Sequence, residues 1–235
     1  MNILAIETAT EACSAALVTK DETLKEYQVA PQKHSQLILP MVDNLLSQAK
    51  LDVAQLHYLA FGRGPGSFTG VRIATGVVQG LAMSASLPVV AVSTLATMAQ
   101  QAFATHDTHY VASAIDARMG EVYFALYTKD ASGVAQLVNE EAVLSPEKAC
   151  ALLEAFVKDK QTSFVSVGTG WESYPQLLSG ETAPFQQSSV VQLPDAEYML
   201  PIAKTLAEKG EVLAIDEIQP VYVRDEVTWK KLPGR

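Results

Sequence analysis

Hydrophobic periodicity and turn signals give one order of elements twice along this chain, βββαβαβα and then βββαβαβα again, and that repeat limits the possible folds more than composition does. In the first copy, residues 2–6, 14–19 and 24–29 read as strands, with a polar turn at Lys20-Asp21-Glu22. A helix follows over 37–49, where Ser35 is the expected N-cap and Pro40 is expected to bend the helix or shift its start. Then come a strand over 56–61, a glycine-rich loop over 62–70, a helix over 71–84, a strand over 88–92 and a helix over 94–104 capped by Ser93. The second copy places strands at 110–115, 122–127 and 134–143 and a helix over 146–157 with Ser145 as N-cap and Pro146 at N1. It closes with a strand over 164–167, a short helix over 171–178, a weak strand over 189–192 and a helix over 196–208 that Asp195 caps and Gly210 ends. The halves share little residue identity, so topology repeats rather than sequence.

Two antiparallel three-stranded meanders, each followed by parallel βα units, resemble the plan of the actin, sugar-kinase and Hsp70-like superfamily. That plan implies an α/β fold of two lobes, a mixed five-stranded sheet in each, with a cleft between them. A length of 235 residues suits two small domains. The expected division is a lobe over 1–106, a lobe over 107–210 and an irregular tail over 211–235 lying on the surface.

Apolar residues make up 49% of the chain and aromatics 7%, so the core is built mostly from Ala, Val and Leu, and disordered and fibrous classes are excluded. The formal net charge of −9 speaks against strong nucleic-acid binding by this chain alone; an RNA substrate would have to be held by a partner. Residues 73–106 contain no Asp, Glu, Lys or Arg. Gly76, Gln79, Gly80, Ser84, Ser86 and Pro88 interrupt that block too often for a membrane span. It reads as buried helix, strand and helix, either wholly core or partly an interface with another protein. Cys13 and Cys150 lie far apart without framework spacing, and no cationic and apolar leader precedes Met1-Asn2-Ile3, which fits a reducing cytoplasm and two small core thiols.

In a fold of this plan the turn between the first two strands of each lobe holds ATP phosphates, usually with an Asp and a Gly. Here the first turn reads Glu7-Thr8-Ala9-Thr10-Glu11-Ala12, with a longer acid and a Cβ at position 9. The second, Asp116-Ala117-Arg118-Met119-Gly120-Glu121, keeps the Asp but carries a bulky Arg two residues on. Both turns are poor phosphate sites, and Glu7 and Asp116 read better as structural residues.

The loop from Gly62 to Gly70 delivers a helix N-terminus but matches neither the P-loop nor GxGxxG, and Ser67 lacks the flanking glycines of a nucleophile elbow. A rigid turn rich in left-handed residues is the expectation, with contact to a phosphate or a partner as the alternative. The four histidines include no HExxH; His106 and His109 read as loop residues, and His34 reads as a surface or capping residue or as one that orients a helix start. Within the helix over 71–84, Gly76 and Gly80 share a face bordered by Val77, Val78, Leu81 and Ala82. Each glycine costs about 1 kcal/mol in a helix interior, so two need a compensating close approach. The approaching helix is either the 37–49 helix of the same chain or a helix of another subunit.

The stretch Gly62-Arg63-Gly64-Pro65-Gly66-Ser67-Phe68-Thr69-Gly70-Val71-Arg72, the opening Ile3-Leu4-Ala5-Ile6-Glu7-Thr8, the run from Ile115 to Tyr123 and the ending Pro220-Val221-Tyr222-Val223-Arg224 closely resemble the TsaB family, formerly YeaZ, of bacterial tRNA threonylcarbamoyladenosine biosynthesis proteins. The resemblance implies a non-catalytic paralogue of the transferase TsaD, which carries a metal-binding HxxxH and modifies adenosine 37 of tRNA. This sequence has no HxxxH. It further implies binding and support of TsaD, with the ATPase TsaE joining, a homodimer when alone, tRNA reached only through the complex, no membrane and no metal.

The family's partner surface uses the helices of the first lobe, which maps onto Leu37, Met41, Leu45, Arg72, Ala74, Gly76, Val77, Gly80 and Leu81. Residual nucleotide or phosphate contacts would fall to Glu7, Thr8, Asp116 and Arg118, and ATP or ADP would sit, if anywhere, at an interface shared within the complex, where Arg72 could also touch it. No catalytic residue is assigned. The competing readings are an active glycoprotease-like peptidase or a small-molecule kinase of the same superfamily, and a self-associating regulator, for which no carbohydrate-binding aromatic cluster is present.

Overall fold

The computed structural model describes residues 1–224; residues 225–235 of the expected tail lie outside the described residues. The first half begins with β1 (Ile3–Glu7), β2 (Ala12–Val18) and β3 (Thr23–Val29), then α1 (His34–Ala49), β4 (Tyr58–Gly64), α2 (Phe68–Ala85), β5 (Val89–Ser93) and α3 (Thr94–Thr105). The second half runs β6 (Tyr110–Arg118), β7 (Glu121–Lys129), β8 (Ala135–Leu137), β9 (Ala142–Leu144), α4 (Pro146–Lys160), β10 (Phe164–Val167), α5 (Gly170–Ser173), β11 (Gln186–Ser188) and α6 (Met199–Glu208).

The first sheet has the order β3-β2-β1-β4-β5, antiparallel on the meander side and parallel between β1, β4 and β5. The second repeats it as β8-β7-β6-β10-β11, with β9 also paired to β7. The two-lobed plan expected from the duplicated pattern is therefore present. The second sheet has six strands instead of five because the expected 134–143 strand breaks in two. At the break the Asn139 side chain accepts the Leu126 N–H at 2.7 Å, standing in for a backbone carbonyl, and the chain loops away before rejoining β7.

β1 is buried along its whole length, as a central strand must be. Leu4 and Ile6 face an outer core shared with Ile38 and Leu45 of α1 and Ala74 and Val78 of α2. Ile3 and Ala5 face an inner core that also holds Val111, Ile115 and Tyr127 of the second sheet. Between the sheets stand α3 and α6: α3 packs mainly on β6, β7 and β8, and α6 on β1, β4 and β5. A third core lies beneath α4, where Ala112, Ala114 and Phe124 meet Leu153 and Phe156.

Several local expectations are corrected. α1 begins at His34 with Lys33 as N-cap, so Ser35 lies inside the helix, and Pro40 is accommodated on its exposed side. His34 is buried and its Nε2 lies 3.2 Å from the Ala12 carbonyl, fixing the helix start on β2; it is not a surface residue. α2 starts at Phe68 because Ser67 caps it, its hydroxyl accepting the Gly70 N–H. The helix expected over 171–178 stops at Ser173, since Tyr174 precedes Pro175 and takes an extended φ of −135°, and a 3₁₀ turn follows at Pro175–Leu177. The weak strand lies at Gln186–Ser188, not at 189–192, where Val190 is exposed. No helix among the described residues is long and apolar enough to cross a membrane.

Candidate functional site

The first phosphate turn is filled from within. Glu7, the last residue of β1, is 0% exposed, as is Thr8. The Glu7 carboxylate accepts the Ala9 N–H at 2.7 Å and the Thr94 hydroxyl at 3.0 Å. Burial is the main force on it and raises its pKa to about 7, against the opposing pull of the Ala9, Thr94 and Thr8 hydrogen bonds. The glycine loop is packed directly on this turn. Ser67 N–H donates to the Ala9 carbonyl at 2.7 Å, and Thr8 hydroxyl donates to the Gly70 carbonyl at 2.7 Å.

The glycines are there for close approach. A Cβ on Gly62 would overlap the Glu7 carboxylate, one on Gly66 the Ala9 carbonyl, and one on Gly70 the Thr8 carbonyl. Within the loop only Gly64 takes a positive φ, of 102°, so the expectation of a turn rich in left-handed residues is wrong. The glycine loop thus packs directly against the backbone of the turn that follows β1.

The second turn is solvated and self-satisfied. Asp116 accepts from the Arg118 backbone N–H at 2.8 Å and from Tyr174 hydroxyl at 2.9 Å, while Arg118 Nη1 pairs with its other oxygen at 3.0 Å. Arg118 is exposed, and its Nη2 lies 3.7 Å from Glu11, so the two turns face one another. Arg118, Met119 and Gly120 all have positive φ, 63°, 59° and 81°, which turns β6 back into β7.

Sequence reading missed a polar link between the halves beside these turns. Arg63 Nη2 lies 2.9 Å from Glu141, and Tyr127 hydroxyl donates to the same carboxylate at 2.7 Å. Burial, with Glu141 beside it, holds the Tyr127 hydroxyl well above its ordinary pKa. Nothing in a single sequence marks three residues so far apart as neighbours.

The residues expected at a partner surface separate into two sets. Met41, Leu45 and Ala74 are buried in the outer core, and Leu37, Val77 and Leu81 are half-buried beside it. Arg72, Gly76 and Gly80 face outward on α2, next to exposed Phe68 and Met83. A Cβ on Gly76 or Gly80 would meet nothing within 4 Å. The glycines therefore do not serve packing against α1, one of the two readings open from sequence.

The tail completes this face: Gln79 donates to the Ile218 carbonyl at 2.8 Å, and Arg72 Nε donates to Tyr222 hydroxyl at 2.9 Å. Leu213 pairs with Val89, and Arg224 reaches the Ala117 carbonyl and the Glu121 carboxylate in the second half. The Pro220-Val221-Tyr222-Val223-Arg224 motif carried this information in sequence but gave no hint of what it touches.

No cluster of metal-ligating side chains occurs among the described residues, and both cysteines are free and buried. Burial, with Glu7 nearby, raises the Cys13 thiol to about 11, and burial also raises Cys150, which makes both poor nucleophiles.

Residues 19–228 match the family described as TsaD, tRNA N6-adenosine threonylcarbamoyltransferase. Over 235 residues, all of both chains, the sequence is 46% identical to the tRNA threonylcarbamoyladenosine biosynthesis protein TsaB of Escherichia coli. The chain belongs to the TsaB family. The TsaB of Haemophilus influenzae is 42% identical over 237 residues, covering 100% of this chain and 98% of its own. The solved structure of YeaZ from Pseudomonas aeruginosa superposes with a TM-score of 0.84 at 42% identity, over 94% of this chain and 99% of that one. The likeness to TsaB and YeaZ chains therefore extends over nearly the whole length in sequence and in fold.

Proposed function

We propose that this chain is a non-catalytic scaffold subunit in the formation of N6-threonylcarbamoyladenosine at position 37 of tRNA, acting in the cytoplasm. It binds and supports the TsaD transferase, with the ATPase TsaE joining the assembly, and pairs with a second copy of itself when alone. Tyrosine and arginine at the rim and two glycines at the centre of α2 form the docking face.

The observation that carries this reading is the open helix face at Gly76 and Gly80. Two glycines that cost helix stability and touch nothing in the monomer make sense where another helix must come close. The buried Glu7 and the glycine loop packed on its turn support the non-catalytic part of the reading. A net charge of −9 fits a subunit that leaves tRNA to its partner. Any ATP or ADP associated with the chain would then sit at an interface shared within the complex.

Reconstitution tests the proposal. TsaD, supplied with TsaE and threonylcarbamoyl-adenylate, should modify tRNA only slowly without this chain and fully with it, and the Gly76→Leu variant should fail to restore the rate. Equal modification without the chain would remove the scaffold reading.

A further inference from the structure

Arg72 lies on the exposed side of α2 one turn before Gly76, and its guanidinium is held in place within the monomer. Its Cζ lies 3.6 Å from the centre of the Phe68 ring, one turn earlier, and Nε donates to Tyr222 hydroxyl at 2.9 Å. The Tyr222 ring in turn lies 5.7 Å from that of Phe68. Tyr222 is anchored on both sides: Val221 N–H donates to the Arg63 carbonyl at 2.8 Å, and Arg224 pairs with Glu121. An exposed arginine ordinarily samples many rotamers and loses that freedom on binding. Here the loss has occurred already.

With Nε engaged, the two terminal amino groups have no partner among the described residues. Arg72 takes part in no ion pair there. Beyond it the chain has no charge over residues 73–106. A single fixed cation thus marks one end of an uncharged, glycine-floored helix face.

We propose that Arg72 is a pre-set carboxylate anchor. The partner helix that packs over Gly76 and Gly80 would present an Asp or Glu to the two terminal amino groups of Arg72, and Tyr222 is the positioning residue that aims them. This rests on the docking reading above. A protein carboxylate suits the site better than a phosphate, because phosphate sites gather several donors, typically backbone N–H groups at a helix N-terminus or a second cation, and this one has a single planar fork between two aromatic rings.

The experiment is equilibrium binding of the full chain to the family's transferase, with melting curves to show that each variant is folded. Arg72→Gln is expected to weaken binding by about 10- to 100-fold, the range for a lost charge-assisted hydrogen bond. Arg72→Lys should recover only part of it, since charge returns without the fork. Tyr222→Phe should weaken binding several-fold, add nothing when combined with Arg72→Gln, and speed hydrogen exchange at Arg72 Nε in the free chain.

Binding of Arg72→Gln within twofold of wild type would overturn the anchor, as would additive effects in the double variant. A deficit seen only with ATP or ADP present would also overturn it, by making the anion a phosphate. Gly76→Leu separates the two readings: if it abolishes binding while Arg72→Gln does not, docking stands and the anchor falls, and if neither changes binding, both fall.

Discussion

The Glu7 carboxylate occupies the space that a side chain at position 62 would fill. Gly62 passes so close that an added Cβ would overlap both carboxylate oxygens, and Thr94 and Ala9 hold those oxygens from the other side. Gly62→Ala is therefore expected to destabilise the fold by about 1–3 kcal/mol, the range for overpacking in a tight core. Shortening the acid should relieve the clash, so the Glu7→Asp, Gly62→Ala double variant should recover part of the loss in urea titrations. Equal stability of Gly62→Ala and wild type would mean that the carboxylate is free to move.

Glu7 also gives a pH dependence of known sign. Its pKa is raised by burial from 4.5 to about 7, so the folded state favours the protonated acid. The contribution to stability is full below the unfolded value, falls as pH rises from 4.5 to 7, and stays about 3 kcal/mol lower above that. Glu7→Gln should flatten this part of the profile: the difference in unfolding free energy between variant and wild type should shift in favour of the variant from pH 4.5 to 8. A constant difference over that range would show that Glu7 titrates as an ordinary carboxylate.

Much of the fold was legible because period carries it. Continuous apolar runs mark β1 as central, and the spacing of Ile38, Met41, Leu45 and Leu46 marks one face of α1. The candidate site was less legible. Glu7 and Ala9 stand out by residue type in a turn that would normally hold phosphate, but what closes over them comes from Gly62, Gly70 and Thr94, far away in sequence. Glycine in a loop signals either a left-handed φ or close approach, and only the neighbours distinguish the two. Glycine in a helix has the same ambiguity: Gly76 and Gly80 could have faced α1 until the structure put them on the open side.

The link between the halves at Glu141 predicts coupled energetics. Its side chain is 8% exposed and serves Arg63 and Tyr127 together. Glu141→Ala would leave a buried hydroxyl and a half-buried guanidinium without their acceptor, and should cost about 3 kcal/mol. Tyr127→Phe removes one bond and should cost about 1 kcal/mol. In the double variant the two costs should be less than additive, because Glu141→Ala already removes the short Tyr127–Glu141 bond and leaves the hydroxyl only its long contact with Ser93. Strict additivity from denaturant unfolding would mean that the three groups do not act as a unit.

Gly76 and Gly80 carry the most discriminating prediction, because fold and binding should move in opposite directions. Each glycine costs about 1 kcal/mol against an ordinary helix former, and a Cβ at either place meets nothing in the monomer. Gly76→Leu or Gly80→Leu should therefore leave the monomer as stable as wild type or up to about 1 kcal/mol more stable. The added side chain would stand out from the floor of the docking face, as exposed Met83 does at 68%, and hold an approaching helix away. On the proposed docking reading, sedimentation should show self-association weaker than that of the wild-type chain, and transferase binding should fall with it. A variant that melts early would instead assign the glycines to the core, whereas one that melts late but still pairs would place the contact surface elsewhere on the chain.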